Sequence, residues 1–559
     1  SLFYNTTGAD NTAVGASALT ASTTSSFNTG VGKGALAANT TASYNTALGK
    51  DALLSATTGG FNVAVGTLAL DALTTAVDNV AVGHEALTAT TTGANNTALG
   101  AAALKANTTG AQNVAVGATA LDANTTGTDN VAINYGALGA NTTGNQNVAV
   151  GRDALITSID GDGSTAIGFE ALKTSEPADG VTYNTAVGWR AGKAVTTGTS
   201  NTLIGGLAGG AITTGASNVA VGAAALDANT TGANNVAVGW NSMTTNTTAS
   251  GNTAVGQSSL GLNTTGPNNV AIGYAALDAN TTAANNVAVG QTALSAATTG
   301  GGNTGIGQAA GLAITTGANN VAVGHQALKA NTTANDNTAM GVNAMLANTT
   351  GAGNTAVGRS ALTANTTGGS NTAVGNGAGD AITTGSNNVC IGKGTDVNTG
   401  AAASRLGLGV ALSLTTADQI KIGIGSDFIT NTFISNATWS HSSDERLKKN
   451  ITNDSLGLTF INKLRPVTYN WKPFEEQPED IRGIASNKKD DRKYHGMIAQ
   501  EVKQSLDDLG VNTYTGWTEN EEGVQMISEQ MFVYPLINAI KELSTALDAA
   551  LARIATLEG

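Results

Sequence analysis

The chain has 559 residues, of which 72 are glycine, 4% are aromatic and 12% are charged, and its formal net charge is −13. So few aromatic side chains exclude a large aromatic core, and the low charge argues against disorder driven by charge repulsion. A nucleic-acid partner, which requires clustered Lys and Arg, is not expected. The single cysteine, Cys390, excludes an internal disulfide framework and a cysteine zinc site. We therefore predict no metal and no cofactor, and no membrane insertion because no apolar run reaches about 18 residues.

A five-residue motif, Asn-[Thr/Val]-Ala-Val-Gly, recurs through the first 404 residues with a period of 17 residues. It starts at Asn11 and returns until Asn388, which makes 23 units, with one three-residue insertion at 176–178. A strict period of this length indicates a solenoid, in which each unit buries its apolar face against its neighbours. Because the chain begins at Ser1 in the middle of a repeat and without Met, we expect further sequence before it.

The places of each unit, numbered from its Asn, indicate strand and turn. The fifth place is Gly in 22 of 23 units and Asn134 in the other. Both residue types tolerate positive φ, so we predict a turn in the left-handed region there. The third place is Ala in 19 units and otherwise Gly30, Gly305, Leu203 or Cys390, the last as a buried hydrophobe. The fourth place is always Val, Ile, Leu or Met, and this alternation is typical of a short strand. Helix is excluded by the Gly and Thr residues, and each unit is predicted to be one coil of two short strands. Twenty-three coils at about 4.8 Å predict a rod of roughly 110 Å.

The ninth place shows which side chains face inward. It is usually Leu, as at Leu121, but four units carry Gly there and gain Val or Ile three residues later. Such an exchange of volume is what a close-packed interior tolerates, so both places are predicted to be buried. The Gly residues and their compensating partners are Gly192 with Val195, Gly209 with Ile212, Gly311 with Ile314, and Gly379 with Ile382.

The sixth place, directly after the turn, is the most variable of the unit and is therefore predicted to be exposed. Its scatter favours a tolerant surface column, while its aromatic and basic side chains leave open a surface that binds glycans or a partner. The Asn-Thr-Thr sequons have no meaning without a eukaryotic secretory context. The candidate binding residues in this column are Tyr135, Phe169, Trp189, Trp240, Tyr274 and His325.

Units such as Asn-Asn-Val-Ala-Val-Gly at 234–239 resemble the head repeats of YadA-like trimeric autotransporter adhesins. The repeats of that family are typically shorter than 17 residues. The resemblance implies a left-handed parallel β-roll that assembles as a homotrimer, so the fold class expected is mainly β, a long trimeric solenoid.

The composition changes at Arg405, after which charged residues and Pro become frequent. We predict three domains: a repeat shaft over 1–404, a neck over 405–442, and a small α+β domain over 443–559. Residues 404–409 keep the register of a twenty-fourth coil. The last segment, about 536–558, spaces apolar residues by alternate steps of four and three, which predicts a coiled coil, although a helix packed on its own domain stays open. The seam consists of Leu536, Ile540, Leu543, Leu547, Ala550, Ile554 and Leu557.

A charged segment, His-Ser-Ser-Asp-Glu-Arg-Leu-Lys-Lys-Asn-Ile, occupies 441–451. Taken alone, it is a helix start that Ser443 or Asp444 caps. A Ser with a Lys five residues later can also form a nucleophile and base pair. The segment resembles the S-D-x-R-L-K signature of the self-cleaving C-terminal chaperone of phage tailspikes and tail fibres, known from endosialidases. Three further motifs of that family follow in order, at Leu464–Trp471, Gly496–Val502 and Tyr534–Leu543.

This second resemblance implies cleavage between Ser442 and Ser443, with Ser443 as the nucleophile, Lys448 as the base and Asp444 in support. Lys449 is a rival base and Ser442 a rival nucleophile. His441 is a weaker third candidate, because the family signature does not use it.

Together these observations predict a phage tail fibre or tailspike. A trimeric shaft would present a surface to a host glycan or protein receptor, and a C-terminal chaperone would assemble three chains and leave by self-cleavage. The alternative is a bacterial cell-surface or secreted fibre with the same chaperone. A glycan-degrading enzyme is a weaker third hypothesis, because the repeats contain no aligned carboxylate pair.

Overall fold

In the computed structural model, the residues described are 2–176, 180–432, 445–472, 476–479, 493–520 and 523–559. The chain divides into two compact units, Ser1–His441 and Ser442–Gly559, hereafter the N-terminal and C-terminal units. Each has a hydrophobic core of its own.

The N-terminal unit is a parallel β-solenoid with coils of 17 residues, as predicted from the repeat. Each strand pairs with the strand of the next coil in parallel, for example Val63 with Val80. Across the insertion the register is kept, with Thr165 opposite Thr185. Strands β1 to β23 are Thr12–Val14, Thr29–Val31, Thr46–Leu48, Val63–Val65, Val80–Val82, Thr97–Leu99, Val114–Val116, Val131–Ile133, Val148–Val150, Thr165–Ile167, Thr185–Val187, Thr202–Ile204, Val219–Val221, Val236–Val238, Thr253–Val255, Val270–Ile272, Val287–Val289, Thr304–Ile306, Val321–Val323, Thr338–Met340, Thr355–Val357, Thr372–Val374 and Val389–Ile391.

The prediction of two strands per coil is wrong for the described residues of the first 22 coils, which have a single three-residue strand each, and only the coil at 388–404 adds a second strand, Asp396–Val397. The opposite side of the coil contains residues with positive φ at the seventh and ninth places, such as Thr119 at 53° and Leu121 at 54°. These residues interrupt the extended conformation. Coil-to-coil hydrogen bonds nevertheless continue there, since the Leu121 amide donates to the Ala137 carbonyl at 2.9 Å.

Glycine at the fifth place is required for two reasons. Its φ lies between 121° and 148° along the shaft, which confirms a positive φ but lies beyond the left-handed helical value. A Cβ at Gly239 would also lie 2.6 Å from the Gly256 carbonyl oxygen in the next coil. Asn134, the one exception, has a φ of 101°.

The ninth place lies in the core, as predicted. Leu121 is fully buried, and so are Val195 and Ile212, which accompany ninth-place glycines. Burial of a whole Leu side chain contributes about 1.5–3 kcal/mol, which exceeds the roughly 1–2 kcal/mol that a left-handed conformation costs. The Gly exchanges therefore also relieve backbone strain, since Gly192 adopts a φ of 60° without that cost.

One core exchange involves two coils rather than one. A Cβ on Gly192 would lie 2.6 Å from Leu203 Cδ1, and a Cβ on Gly209 would lie 2.7 Å from Leu203 Cδ2. Leu203 is the large residue that replaces Ala at a third place, and it fills the space that both glycines leave.

The first-place asparagines form a buried amide ladder along the shaft. The backbone amide of Asn113 donates to Asn96 Oδ1 at 3.0 Å, and Asn96 Nδ2 donates to the Gly110 carbonyl at 2.9 Å. Each coil thus satisfies backbone groups of its neighbour with a side chain that is itself fully buried.

A second ladder uses the Asn of the Asn-Thr-Thr stretch. Asn107 Nδ2 donates to the Gly110 carbonyl at 3.0 Å, and Asn124 Nδ2 donates to Asn107 Oδ1 at 2.8 Å. Thr108 Oγ1 donates to the Thr125 carbonyl at 3.0 Å. The recurrence of Asn-Thr-Thr therefore has a structural cause, and the sequon Asn107 is fully buried.

The solenoid continues past the last complete repeat and ends in a hairpin. β25 (Leu406–Val410) pairs in parallel with β23 in the predicted register, Val389 opposite Leu406. β27 (Gln419–Ile424) pairs in parallel with β25 and antiparallel with β28 (Asp427–Thr432). β24 (Asp396–Val397) pairs with β26 (Ser413–Leu414).

The C-terminal unit combines short strands and helices. A 3-10 turn at Glu445–Leu447 precedes α1 (Leu458–Ile461), and a second one at Glu529–Phe532 precedes the long terminal helix. Its buried core consists of Leu456, Phe460, Val502, Leu506 and Phe532. The remaining elements are β29 (Val467–Tyr469), β30 (Tyr494–Gly496), α2 (Ala499–Asp508), β31 (Trp517–Glu519), β32 (Gln525–Ile527) and α3 (Val533–Glu558). Strands β29 and β30, and β31 and β32, form antiparallel pairs.

Candidate functional site

The proposed cleavage segment lies at the start of the C-terminal unit. Ser443 and Asp444, together with Ser442 and His441, lie outside the described residues. Lys448 and Lys449 are exposed, and the Lys448 amide donates to the Glu445 carbonyl at 3.0 Å, so the chain turns directly before both lysines. The roles of these residues stay predictions.

Two of the motifs that followed the cleavage segment in the sequence meet in space. Arg465, in the first, donates through Nε to Glu501 Oε2 at 3.0 Å and through Nη2 to Glu501 Oε1. Glu501 lies on α2 and belongs to the second motif. This two-point contact lowers the pKa of the Glu501 carboxyl. Lys463 also pairs with Asp508 on α2, at 2.8 Å.

The third motif, on α3, holds the segment around α1. Glu542 Oε2 accepts the Leu458 amide at 2.8 Å, where α1 begins. Asn538 Nδ2 donates to the Asp454 carbonyl at 3.1 Å and to the Leu456 carbonyl at 3.0 Å. The residues that follow the cleavage segment are therefore attached to the first turns of α3.

Beyond these contacts, α3 is exposed on all sides. Every residue of α3 from Ile540 to Glu558 is exposed. The predicted seam is part of this surface, and Leu547 is 58% and Leu557 85% exposed. Because most helical stability in proteins comes from packing of an apolar face, this exposed stripe favours association with a partner, which stays a prediction.

The sixth-place column is solvent-facing, as its variability predicted. Trp189, Trp240, Tyr274 and Tyr135 are each about half exposed, His325 is exposed, and Phe169 is half-buried. Phe169 and Trp189 lie on neighbouring coils, and Tyr135 lies two coils before Phe169. Trp240, Tyr274 and His325 lie on coils that are not adjacent to one another.

Sequence reasoning missed an ion cluster next to this column. Glu170 is only 7% exposed and receives Lys173 Nζ at 2.7 Å, Arg190 Nε at 2.8 Å and Lys193 Nζ at 3.2 Å. These cations, Lys173 foremost, lower the pKa of the Glu170 carboxyl to about 2. The signal available in the sequence was the presence of basic residues at the seventh and tenth places of adjoining units.

A second missed surface is the fourth place of each strand. Because successive strand residues point to opposite faces, the buried third place turns the fourth outward. Leu48 is 49%, Leu99 48% and Met340 44% exposed, and the column repeats coil after coil. The alternation of a small third place with a larger apolar fourth place predicted a strand, but it did not indicate that the larger side chains face outward.

Cys390 is a free, fully buried thiol on β23. Burial raises its pKa to about 12, so the side chain behaves as a small hydrophobe. Among the helices of the described residues, none has the length and apolar composition of a membrane-spanning helix.

These features of the C-terminal unit agree with a comparison of the sequence with protein families. Residues 443–511 match the family model Peptidase_S74, chaperone of endosialidase. The match begins at Ser443, and it includes both Arg465 and Glu501. No curated protein matches the chain. The chain thus joins a long parallel β-solenoid to a C-terminal chaperone domain of this type, while the YadA-like character of the shaft stays a prediction.

Proposed function

We propose that this chain is the subunit of a homotrimeric fibre, a phage tail fibre or tailspike, that presents a receptor-binding shaft. Its C-terminal unit assembles three chains and then separates by cleavage between Ser442 and Ser443. The observation that carries the proposal is the match to the chaperone of endosialidase, which begins at the residue assigned as the nucleophile. A virion tail, outside the cell, is the corresponding location.

The apolar fourth-place column supports self-association of the shaft. Exposed apolar surface that is continuous over many coils is typical of an interface. A partner that covers side chains at the spacing of the coils must carry apolar groups at the same spacing. A second copy of the shaft meets this condition, because its own exposed fourth-place side chains, such as Leu99 and Ile272, belong to a column with one member in each coil.

The seam of α3 supports the same conclusion for the C-terminal unit. Its apolar residues alternate in steps of four and three, the spacing at which helices of separate chains interlock. The strand number of three comes from the resemblance of the shaft to trimeric adhesins.

The shaft itself explains why an assembly chaperone is needed. Coils that differ so little can pair in many registers of similar energy, and parallel pairing requires loop closure before any contact is gained. Three chains joined at one end have a high effective concentration and a defined register. Removal of the joining domain afterwards closes the reverse route and makes the fibre kinetically stable.

The chemistry proposed for cleavage uses the residues before and after the Glu445–Leu447 turn. Ser443 Oγ attacks the carbonyl carbon of Ser442 while Lys448 accepts the hydroxyl proton and passes it to the departing Ser443 nitrogen. The resulting ester is hydrolysed by water, which leaves a carboxylate on Ser442 and a free amine on Ser443. Asp444 supports the site.

The test is expression of the full chain followed by mass spectrometry and light scattering. Wild type is expected to yield a C-terminal fragment of 117 residues that begins at Ser443. Ser443→Ala is expected to stay intact and still form a trimer. Lys448→Ala compared with Lys449→Ala distinguishes the two bases, and Ser442→Ala the two nucleophiles. An uncut wild-type chain under folding conditions would contradict the cleavage, and a monomeric Ser443→Ala chain would contradict the chaperone role.

A further inference from the structure

The strongest unassigned feature of the N-terminal unit is a concentration of cations beside exposed aromatic rings. The shaft carries ten lysines and arginines against 18 acidic residues, yet four of those ten lie between Arg152 and Lys193. We define the cation–aromatic cluster as six residues on two adjoining coils. They are Phe169, Glu170, Lys173, Trp189, Arg190 and Lys193.

The charges of this cluster do not cancel. Three other cations of the shaft each pair with one carboxylate: Lys105 with Glu85 at 2.7 Å, Lys50 with Asp51 at 3.5 Å and Arg152 with Asp153 at 3.4 Å. In the cluster, three cations surround the single carboxylate of Glu170, which leaves two positive charges. The three cationic side chains are still about one third exposed, so they remain accessible to a ligand.

The aromatic rings form a surface with these cations. The Arg190 guanidinium carbon lies 4.6 Å from the Trp189 ring centre and 5.8 Å from that of Phe169. On the preceding coils, Arg152 lies 5.8 Å from the Tyr135 ring centre. Rings and cations therefore alternate over four successive coils, a span of about 14 Å along the shaft at the spacing of stacked strands.

We infer that this cluster binds a segment of an acidic polysaccharide, with sugar faces packed on the exposed rings and a sugar carboxylate bound by the uncompensated cations. Exposed Trp and Tyr rings offer flat apolar surface, and an Arg fork suits a carboxylate. The inference rests on the proposed receptor-binding function of the shaft and names its ligand class.

The charge balance favours a polysaccharide over a nucleic acid. Duplex nucleic acid carries a charge about every 1.7 Å, and a shaft with a net negative charge would repel it outside the cluster. Two uncompensated charges suit a polymer with one carboxylate on each sugar, of which only a short segment needs to be bound.

The test uses the full-length assembled protein and three acidic probes: polygalacturonate, alginate and hyaluronate. The matched neutral probe is the methyl ester of polygalacturonate, which has the same sugar backbone with each carboxylate replaced by an uncharged ester. Binding to at least one acidic probe is expected, together with its weakening at high salt, because screening reduces contacts between exposed charges. Absence of binding to all three acidic probes, or equal binding to the ester, would overturn the inference.

Variants identify the surface. Trp189→Ala and Lys193→Gln are each expected to weaken binding about tenfold, the effect of losing one ring contact or one charged hydrogen bond. Phe61→Ala and Arg359→Gln, at exposed positions outside the cluster and outside the set of candidate binding residues, are the matched controls and are expected to bind as wild type. Circular dichroism melts show whether each variant folds.

The outcomes separate this inference from the proposed function. If Trp240→Ala weakens binding and the cluster variants do not, the cluster assignment fails while a receptor-binding fibre remains. If protease treatment of host cells abolishes attachment while enzymes that degrade acidic polysaccharides leave it unchanged, the receptor is a protein and the acidic glycan is excluded. Trimer formation and cleavage are measured on the same variants, so a failure of assembly is recognised separately.

Discussion

The two units of this chain satisfy their polar and apolar groups in opposite ways. In the N-terminal unit these groups find their partners in neighbouring coils. The side chain of a buried asparagine such as Asn96 accepts a backbone amide of the next coil, that of Asn113, and leucines such as Leu121 fill the interior. The C-terminal unit has a small core and surface ion pairs, and most of its longest helix, from Ile540 to Glu558, is exposed.

This difference indicates where each unit obtains its specificity. Most buried polar groups of the shaft are satisfied by the neighbouring coils, but the repetition does not define which coil would meet which coil of another chain. In the C-terminal unit the apolar seam of α3 is exposed. Under the proposed assembly, this unit selects the partner chains through the seam, and the repeating shaft extends the contact along its coils.

The largest effect is expected where coils approach most closely. Gly239→Ala is expected to cost about 4 kcal/mol, since the new Cβ would collide with the next coil at a φ of 133°. Thermal unfolding measures it. Gly206→Ala is the control, because a Cβ there has only one neighbour within 4 Å, at 3.9 Å. Equal melting temperatures for the two variants would show that the fifth place is not sterically closed.

The next effect separates the inside of the coil from its outer apolar column. Leu121→Ala is expected to destabilise the shaft by about 3 kcal/mol through a buried cavity. Leu99→Ala, at an exposed fourth place, is expected to leave the coil itself intact and to weaken association between chains. Denaturant unfolding and sedimentation measure the two effects. The opposite pattern would mean that the two columns have been assigned to the wrong sides.

A smaller effect tests the dependence of the C-terminal unit on partners. Leu547→Lys, on the seam of α3, is expected to weaken association by about 2 kcal/mol per chain, through loss of a buried Leu contact. Thr545→Lys lies on the opposite side of the same turn and provides the control. Analytical ultracentrifugation of the Ser443→Ala background follows the trimer, and identical behaviour of the two variants would exclude the seam.

The smallest effect is a pH dependence that differs in sign between two carboxyls of the N-terminal unit. The cations around Glu170 lower the pKa of its carboxyl from 4.5 to about 2. The contribution of this carboxylate to the free energy of unfolding is therefore present above pH 4.5 and is lost as the pH falls toward 2. Burial, with a hydrogen bond to Asp380, raises the pKa of Asp396 from 3.8 to about 7. The contribution of the protonated Asp396 carboxyl to the free energy of unfolding is present below pH 3.8 and is lost as the pH rises toward 7.

Melting temperatures measured between about pH 2 and pH 7 test the direction of the pH dependence assigned to each carboxyl. Glu170→Gln is expected to flatten the acid limb of the stability curve, and Asp396→Asn the limb between pH 4 and pH 7. A steeper limb in either variant would contradict the assigned cause.

The sequence by itself determined the period of the solenoid, the fifth-place Gly and the buried ninth place. Each of these follows from residue types that recur at a fixed spacing, and a substitution such as Gly192 with Val195 reveals the interior because lost volume is restored nearby. The motifs of the C-terminal unit were also readable, and the cleavage residues Ser443, Asp444 and Lys448 stay predictions from them.

Only the tertiary structure decided the features that join residues of different coils. The single strand per coil depends on a positive φ at Leu121, which the residue type does not favour and which burial stabilises. The amide ladders and the filling of two glycine sites by Leu203 depend on contacts between coils. The same holds for Glu170, whose cations come from its own coil and the next. Residues about 17 positions apart become neighbours only when the coils stack, and that stacking decides which groups are satisfied and which remain exposed to bind.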